Sequence, residues 1–229
     1  MNIVEAPGIT LPTLTDHLIT TAEERADTLA IIDIENDYKS KYENTQSFAD
    51  RVGDVDDAVS SVKNRNLDSS YGCAYYPWVQ IYDTINNQYV WVPPSVAAIG
   101  TMSNSQARSE LWFAPAGFNR GGLTAGGAGI PVTAITQKLT SKDRDSLYDA
   151  NVNPIASFPA EGIVVFGQKT LQATKSALDR INVRRLLIYV KKGISEIASG
   201  TLFQPNVRDT WNGFKSRAEN FLSDVKVRF

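Results

Sequence analysis

The chain has 229 residues, 42% hydrophobic, 21% charged and 10% aromatic, which suffices for a packed core and excludes dominant disorder and collagen-like, mucin-like or coiled-coil classes. With 23 Lys+Arg against 25 Asp+Glu, the formal net charge of −2 lacks the uniform positive field of a nucleic-acid binder. Cys73 and His17 are the whole supply of their residue types, so internal disulfides, structural zinc sites and His-dependent triads drop out.

The first eight residues lack the basic start and apolar core of a signal peptide, and no apolar run approaches the roughly 18 residues of a membrane span. The sequence reads as intracellular or assembled inside a cell. Residues 3–6 before Pro7-Gly8 predict a short strand, and residues 13–25 carry Leu14, Leu18 and Ala22 at helical spacing. Residues 29–34 form a largely apolar run of strand length. Phe48, Val52, Val55, Val59 and Val62 then recur at intervals of 4, 3, 4 and 3, predicting one helix over 46–63 that Gly53 weakens slightly.

Residues 71–82 and 89–92 are rich in Tyr, Trp and Val with Asn86-Asn87 between them, which predicts a hairpin whose first strand is bulged or at an edge because of Pro77. Pro93-Pro94-Ser95 stops the second strand and caps a helix running to about Arg108. Residues 114–131 hold six glycines without periodicity, the pattern of a long ordered loop. A short helix over 142–150 follows, then apolar runs at 155–158 and 163–166 around Pro159-Ala-Glu-Gly162. Asn182 can cap a helix with Val183, Leu186, Leu187, Val190, Ile194 and Ile197 on one side, ending at Gly200. Pro205-Asn206 restarts the chain into a last helix aligning Trp211, Phe214, Ala218, Phe221, Leu222 and Val225, and residues 226–229 could open a further strand.

This order predicts an α/β (α+β) layered fold: a mixed sheet flanked by helices, plus a β-hairpin and two C-terminal helices. Without an internal repeat or long linker, residues 1–229 read as a single domain. Charge is uneven along it. Residues 1–70 hold 14 acidic and 6 basic residues, net −8, whereas residues 182–229 hold 4 acidic and 9 basic, net +5. Such asymmetry suits a head-to-tail polymer, or two ordinary solvated faces.

Three constellations could carry chemistry. Asp33, Glu35 and Asp37 alternate after an apolar strand; if the strand continued they would share one side and could hold Mg²⁺ for a hydrolase or transferase, although residues 36–38 read as loop. The glycines lack a Gly-Lys-Ser/Thr ending or a G-x-G-x-x-G helix start, and Pro131 after Gly127-Ala-Gly129-Ile130 blocks a phosphate-binding helix there. Tyr75, Trp78 and Trp91 could form a stacking surface for a ligand, or simply core. His17, among Thr13, Thr15, Asp16 and Thr20, reads as a surface helix residue. Arg184-Arg185 and Lys191-Lys192 decorate the penultimate helix, and Arg208, Lys215 and Lys226, spaced by 7 and 11, form one row on the last, diluted by Glu219. Attraction to an acidic protein surface fits that row better than nucleic acid does.

Six stretches occur in a telling order: Tyr71-Gly-Cys-Ala-Tyr-Tyr-Pro-Trp-Val-Gln-Ile-Tyr-Asp83, Val90-Trp-Val-Pro-Pro-Ser95, Trp112-Phe-Ala-Pro-Ala-Gly-Phe-Asn-Arg-Gly121, Asn153-Pro-Ile155, Ile181-Asn-Val-Arg-Arg-Leu-Leu-Ile-Tyr189, and Phe203-Gln-Pro-Asn206 with Trp211. Together they resemble the core region of contractile tail sheath proteins of T4-type myophages and phage-tail-like particles, over residues 3–221. The resemblance implies a structural subunit, without cofactor or enzymatic activity, of a six-fold helical sleeve around a tail tube. Contraction of that sleeve drives the tube through the host envelope. Its implied partners are further copies, the tail tube protein and the baseplate, with neither nucleic acid nor membrane, and its implied location is the virion tail after assembly in the host cytoplasm. Carried onto this chain, the helix after Phe203-Gln-Pro-Asn206 touches the tube, with Arg208, Lys215 and Lys226 as candidate contacts. Each such exposed charge contributes about 1 kcal/mol or less, which suits a grip that must release. Family members also carry an N-terminal arm and a C-terminal strand extension that pair with neighbours. Their absence here makes this chain read as a fragment, expected to be monomeric or weakly associated.

Overall fold

The computed structural model describes residues 2–129 and 131–228, apart from the side chain of Asn2. Strand β1 (Asn2–Glu5), helix α1 (Pro12–Arg25) and strand β2 (Thr28–Ile32) open the chain as a parallel unit, with Ile3 opposite Leu29. The α1 face turned to the core is Thr15, Ile19 and Ala22, and Leu14 is 49% exposed, so the apolar spacing that predicted Leu14 inside is one position out. Thr15 can lie inside because its hydroxyl donates within its own helix, to Pro12 O at 3.1 Å, and accepts from Arg65 at 2.8 Å.

The helix expected over 46–63 is two: α2 (Phe48–Arg51) and α3 (Val55–Asn64). Gly53 passes so close to Asn36 and Asp37 that a Cβ there would lie 2.5 Å from the Asn36 carbonyl carbon, and its N–H donates to Asp37 O at 2.6 Å. The Asp54 carboxylate then accepts from Asp56 N at 2.8 Å and caps α3. Tertiary contact thus overrides a continuous 3.6-residue pattern, while Val55, Val59 and Val62 keep the buried face it implied.

A second correction concerns residues 71–82. They form two strands in different sheets, β3 (Gly72–Tyr76) and β4 (Val79–Asp83), separated at the cis Tyr76–Pro77 bond. Strand β5 (Gln88–Val92) pairs antiparallel with β4 through a turn where Asn87 has φ +53°, as the Asn86-Asn87 signal predicted. Helix α4 (Pro94–Arg108) follows. After the glycine-rich loop come β6 (Val132–Ile135), α5 (Ser141–Asp149), β7 (Val152–Phe158) and β8 (Gly162–Val165). Ile130, within the segment read as unable to start a phosphate-binding helix, lies outside the described residues. Two long helices close the chain: α6 (Ile181–Ser199) and α7 (Arg208–Val227). Lys226 and Val227 belong to α7 and not to a new strand, and Phe229 lies outside the described residues.

Among the described residues the main sheet runs β1-β2-β3-β7-β8, parallel except at β7–β8, and the smaller antiparallel sheet runs β5-β4-β6. The fold is therefore mixed α/β. Alternation along β2 and β3 sends Ala30, Ile32, Ala74 and Tyr76 to one face, against α1, α3 and α5. Leu29, Ile31, Cys73 and Tyr75 face the other way, against α4, α6 and the smaller sheet. Both faces are covered, which explains the near-continuous apolar run of these strands. The glycine-rich loop is ordered by backbone bonds to β8, including Leu123 N to Ile163 O at 2.8 Å and Val165 N to Gly121 O at 2.8 Å.

Candidate functional site

The Asp33, Glu35 and Asp37 triplet does not assemble. Strand β2 ends at Ile32, so the alternation that would align the carboxylates stops before them. Asp33 is 2% exposed and accepts from Gly8 N at 2.8 Å, Ser95 N at 3.2 Å and Ser95 Oγ at 2.8 Å. It therefore ties the turn after β1 to the start of α4, and Ser95 serves this bond instead of capping its own helix. Burial pushes the Asp33 carboxyl up, against these hydrogen bonds. Asp37 accepts from Trp78 N at 3.3 Å and is pushed well up by burial, with Asp33 adding to the effect. Among the described residues no group of three or more His, Cys, Asp or Glu could hold a metal ion.

Other sequence candidates are dispersed. His17 is exposed on α1. Cys73 is buried, its thiol pushed up to about 12 by burial, which removes the thiolate needed for reactivity. Tyr75 is 1% exposed within the core, whereas Trp78 and Trp91 each lie beside Tyr38, with ring centroids 5.2 and 5.8 Å away, so the three do not form one stacking surface.

Arg184 and Arg185 do not decorate α6. They are 8% and 1% exposed: Arg184 donates to Ser70 Oγ and lies 4.0 Å over the Tyr71 ring, and Arg185 donates to Gln106 at 3.3 Å. Burial lowers the Arg185 guanidinium to about 10. Asn153 has a comparable structural task. Fully buried, its side-chain amide donates to Ala74 O at 3.0 Å and Lys169 O at 2.8 Å while its Oδ1 accepts from Lys169 N at 2.6 Å, stitching β3, β7 and the segment after β8. Trp112, 2% exposed, stacks 5.5 Å from Tyr189 of α6, and Val225 and Phe221 of α7 close the same cluster. Four of the six motif stretches, at 71–83, 112–121, 153–155 and 181–189, thus meet one another across the sequence.

The α6–α7 hairpin offers the most open surface. Val225 is the buried residue of α7, whereas Trp211 is 60% exposed, Leu222 44%, and Phe203 and Leu202 in the connection are fully and largely exposed. The apolar pattern of α7 predicted a packed stripe, and nothing in the pattern indicates that much of it is uncovered. Arg208, Lys215 and Lys226 are all exposed on this helix, and Lys215 pairs loosely with Glu219 at 3.7 Å. Trp211 Nε1 donates to Asn206 Oδ1 at 2.7 Å, fixing the Pro205-Asn206 turn against the first turn of α7. Among the described residues no helix is long and apolar enough to cross a membrane.

A layered main sheet, a smaller antiparallel sheet and a terminal helix pair make up a fold shared with solved contractile sheath assemblies. Over the whole chain it superposes on the anti-feeding prophage baseplate, solved by cryo-EM with six-fold symmetry, at TM-score 0.75 and 18% identity, covering 54% of that chain. It likewise matches the anti-feeding prophage helical sheath in its contracted state over 98% of this chain and 54% of that one, at TM-score 0.70 and 19% identity. The chain is a homologue of phage tail sheath proteins. It is 34% identical over 165 residues to the tail sheath protein of Vibrio phage KVP40, and 30% identical over 164 residues to that of Enterobacteria phage T4; each match covers 72% of this chain and 24% of the relative. The chain thus spans about a quarter of the length of these curated relatives. No family model matches it.

Proposed function

We propose that this chain is the core of a structural, non-enzymatic subunit of a contractile phage tail sheath, which polymerises with its own copies into a six-fold helical sleeve around a tail tube and contracts to drive the tube through the host envelope. The observation that carries this reading is the 34% identity to a tail sheath protein combined with a superposition that takes in the entire chain. By the same reading the protein is a component of the virion tail, assembled in the host cytoplasm. Its partners are further copies, the baseplate and the tube, and neither nucleic acid nor membrane.

Arg208, Lys215 and Lys226 face the tube in this proposal, supported by their shared exposed side of α7. An antibody raised against this chain, applied with gold labelling to phage particles that carry it, is expected to decorate the tail along its length in both extended and contracted particles. Label restricted to heads or fibres would overturn the proposal. For the tube contact, replacing the three cations by Glu is expected to reduce co-sedimentation with purified tubes, most clearly at low salt; unchanged co-sedimentation removes that assignment.

A further inference from the structure

At the carboxyl ends of β1, β2 and β3, where open α/β sheets place their ligand clefts, the surface opens into a cavity of about 650 Å³. Glu35, Asp37, Glu43, Asp50 and Asp57 line it against two cations, Lys39 and Arg51. Arg51 is already engaged: its Nη1 donates to the Tyr38 hydroxyl at 2.7 Å and to Lys39 O at 3.4 Å, with the guanidinium 5.3 Å over the Tyr38 ring. The wall itself includes Asp37, 2% exposed, whose Oδ1 accepts from Trp78 N while its Oδ2 is buried with no hydrogen-bond partner. A buried acceptor left unmade costs free energy that an arriving donor recovers.

We infer that this cleft receives a lysine side chain from α6 of a second copy of the chain, its ammonium reaching Asp37 Oδ2 past the rim carboxylates. The occupant follows from two features. One carboxylate oxygen is free, so the site matches a compact ammonium better than the two-pronged guanidinium fork. Residues 1–70 are net −8 and residues 182–229 net +5, and Lys191 and Lys192 stand exposed on α6. Acidic end against basic end is a heterologous contact, which generates open helical arrays when the rotation does not close. The inference rests on the self-assembly reading above, and it specifies which groups meet.

Zero-length carbodiimide coupling of an equal mixture of ¹⁴N- and ¹⁵N-labelled protein tests it, because only contacts between copies give mixed-isotope peptides. Expected are such peptides joining Glu35, Glu43, Asp50 or Asp57 to Lys191 or Lys192. Their yield should fall at least fivefold both in Asp37→Asn and in the exposed-rim variant Glu35→Lys/Asp57→Lys, whose folding circular dichroism checks. Coupling confined within single molecules, an unchanged yield in the rim variant, or Mg²⁺ at millimolar concentration occupying the cleft in its place, read from the Trp78 indole resonance, would each overturn the inference. Gold-labelled tails with no such coupling would leave the proposed function standing and remove only this contact.

Discussion

Gly193 decides how closely α7 lies on α6. A Cβ at that position would sit 2.8 and 2.9 Å from Cε1 and Cε2 of Phe221, well inside the ordinary carbon contact of about 3.5–4.0 Å. The ring has little room to move: it lies 5.7 Å from Tyr189, which lies 5.5 Å from the buried Trp112. On helix preference alone Gly193→Ala would stabilise by about 1 kcal/mol, but overpacking costs about 1–3 kcal/mol. The net expectation is a loss of up to about 2 kcal/mol, felt first by α7. Phe221→Leu vacates the space the methyl needs, so the double variant should lose about 1–2 kcal/mol less than the sum of the two single losses. Urea denaturation followed by circular dichroism gives the cycle, and amide exchange over residues 208–227 shows whether α7 loosens before the sheet. A stabilising Gly193→Ala with an additive cycle would refute the close packing.

Two further changes probe the buried polar groups. The carboxyls of Asp33, Asp37 and Glu5 are all raised, first by burial. Their contribution to stability is fully present below the unfolded value of about 4 and is lost as pH rises through the folded value. Melting temperature is therefore expected to fall from pH 4 toward neutrality, and Asp37→Asn to flatten that decline; an overlaid profile would contradict it. Asp68, Asp83 and Asp143 are lowered by the hydrogen bonds they accept, so their contribution is lost on the other side, below about pH 4, in both proteins. Asn153→Ala strands two buried carbonyls and one N–H, and should cost about 2–4 kcal/mol in urea at the price of about 1 per lost bond plus desolvation; a midpoint within error of the parent would deny the stitch.

The elements most legible in the sequence are those whose pattern is local. The Pro93-Pro94-Ser95 signal set α4 running to about Arg108, Gly200 and Pro205 separated α6 from α7, and the two runs around residues 159–162 became β7 and β8. What was not legible depends on distant partners. Strand propensity cannot register that the chain changes sheet at Tyr76-Pro77-Trp78, and helical spacing cannot register Asn36 pressing on Gly53. Arg184 and Arg185 carry no mark in sequence of the Ser70, Tyr71 and Gln106 that accept them into the interior. Of the candidate sites, the carboxylate triplet dissolved because its alternation required a longer β2. The row on α7 was visible as spacing, but the uncovered state of Trp211 and Leu222 beside it was not.

Helix α7 is anchored at one end. Val225 and Phe221 join the Trp112 cluster, and Arg228 adds Glu110 at 3.2 Å, whereas Trp211, near the other end, stands mostly in solvent. From Arg208 to Val225 is about 26 Å at 1.5 Å per residue. A pivot of only 10° about the anchored end therefore carries Arg208 through about 4–5 Å, more than a hydrogen-bond length. The hairpin has the proportions of a lever whose fulcrum is aromatic, so a slight repacking around Trp112 would be magnified most at Arg208, less at Lys215 and hardly at all at Lys226 beside the fulcrum.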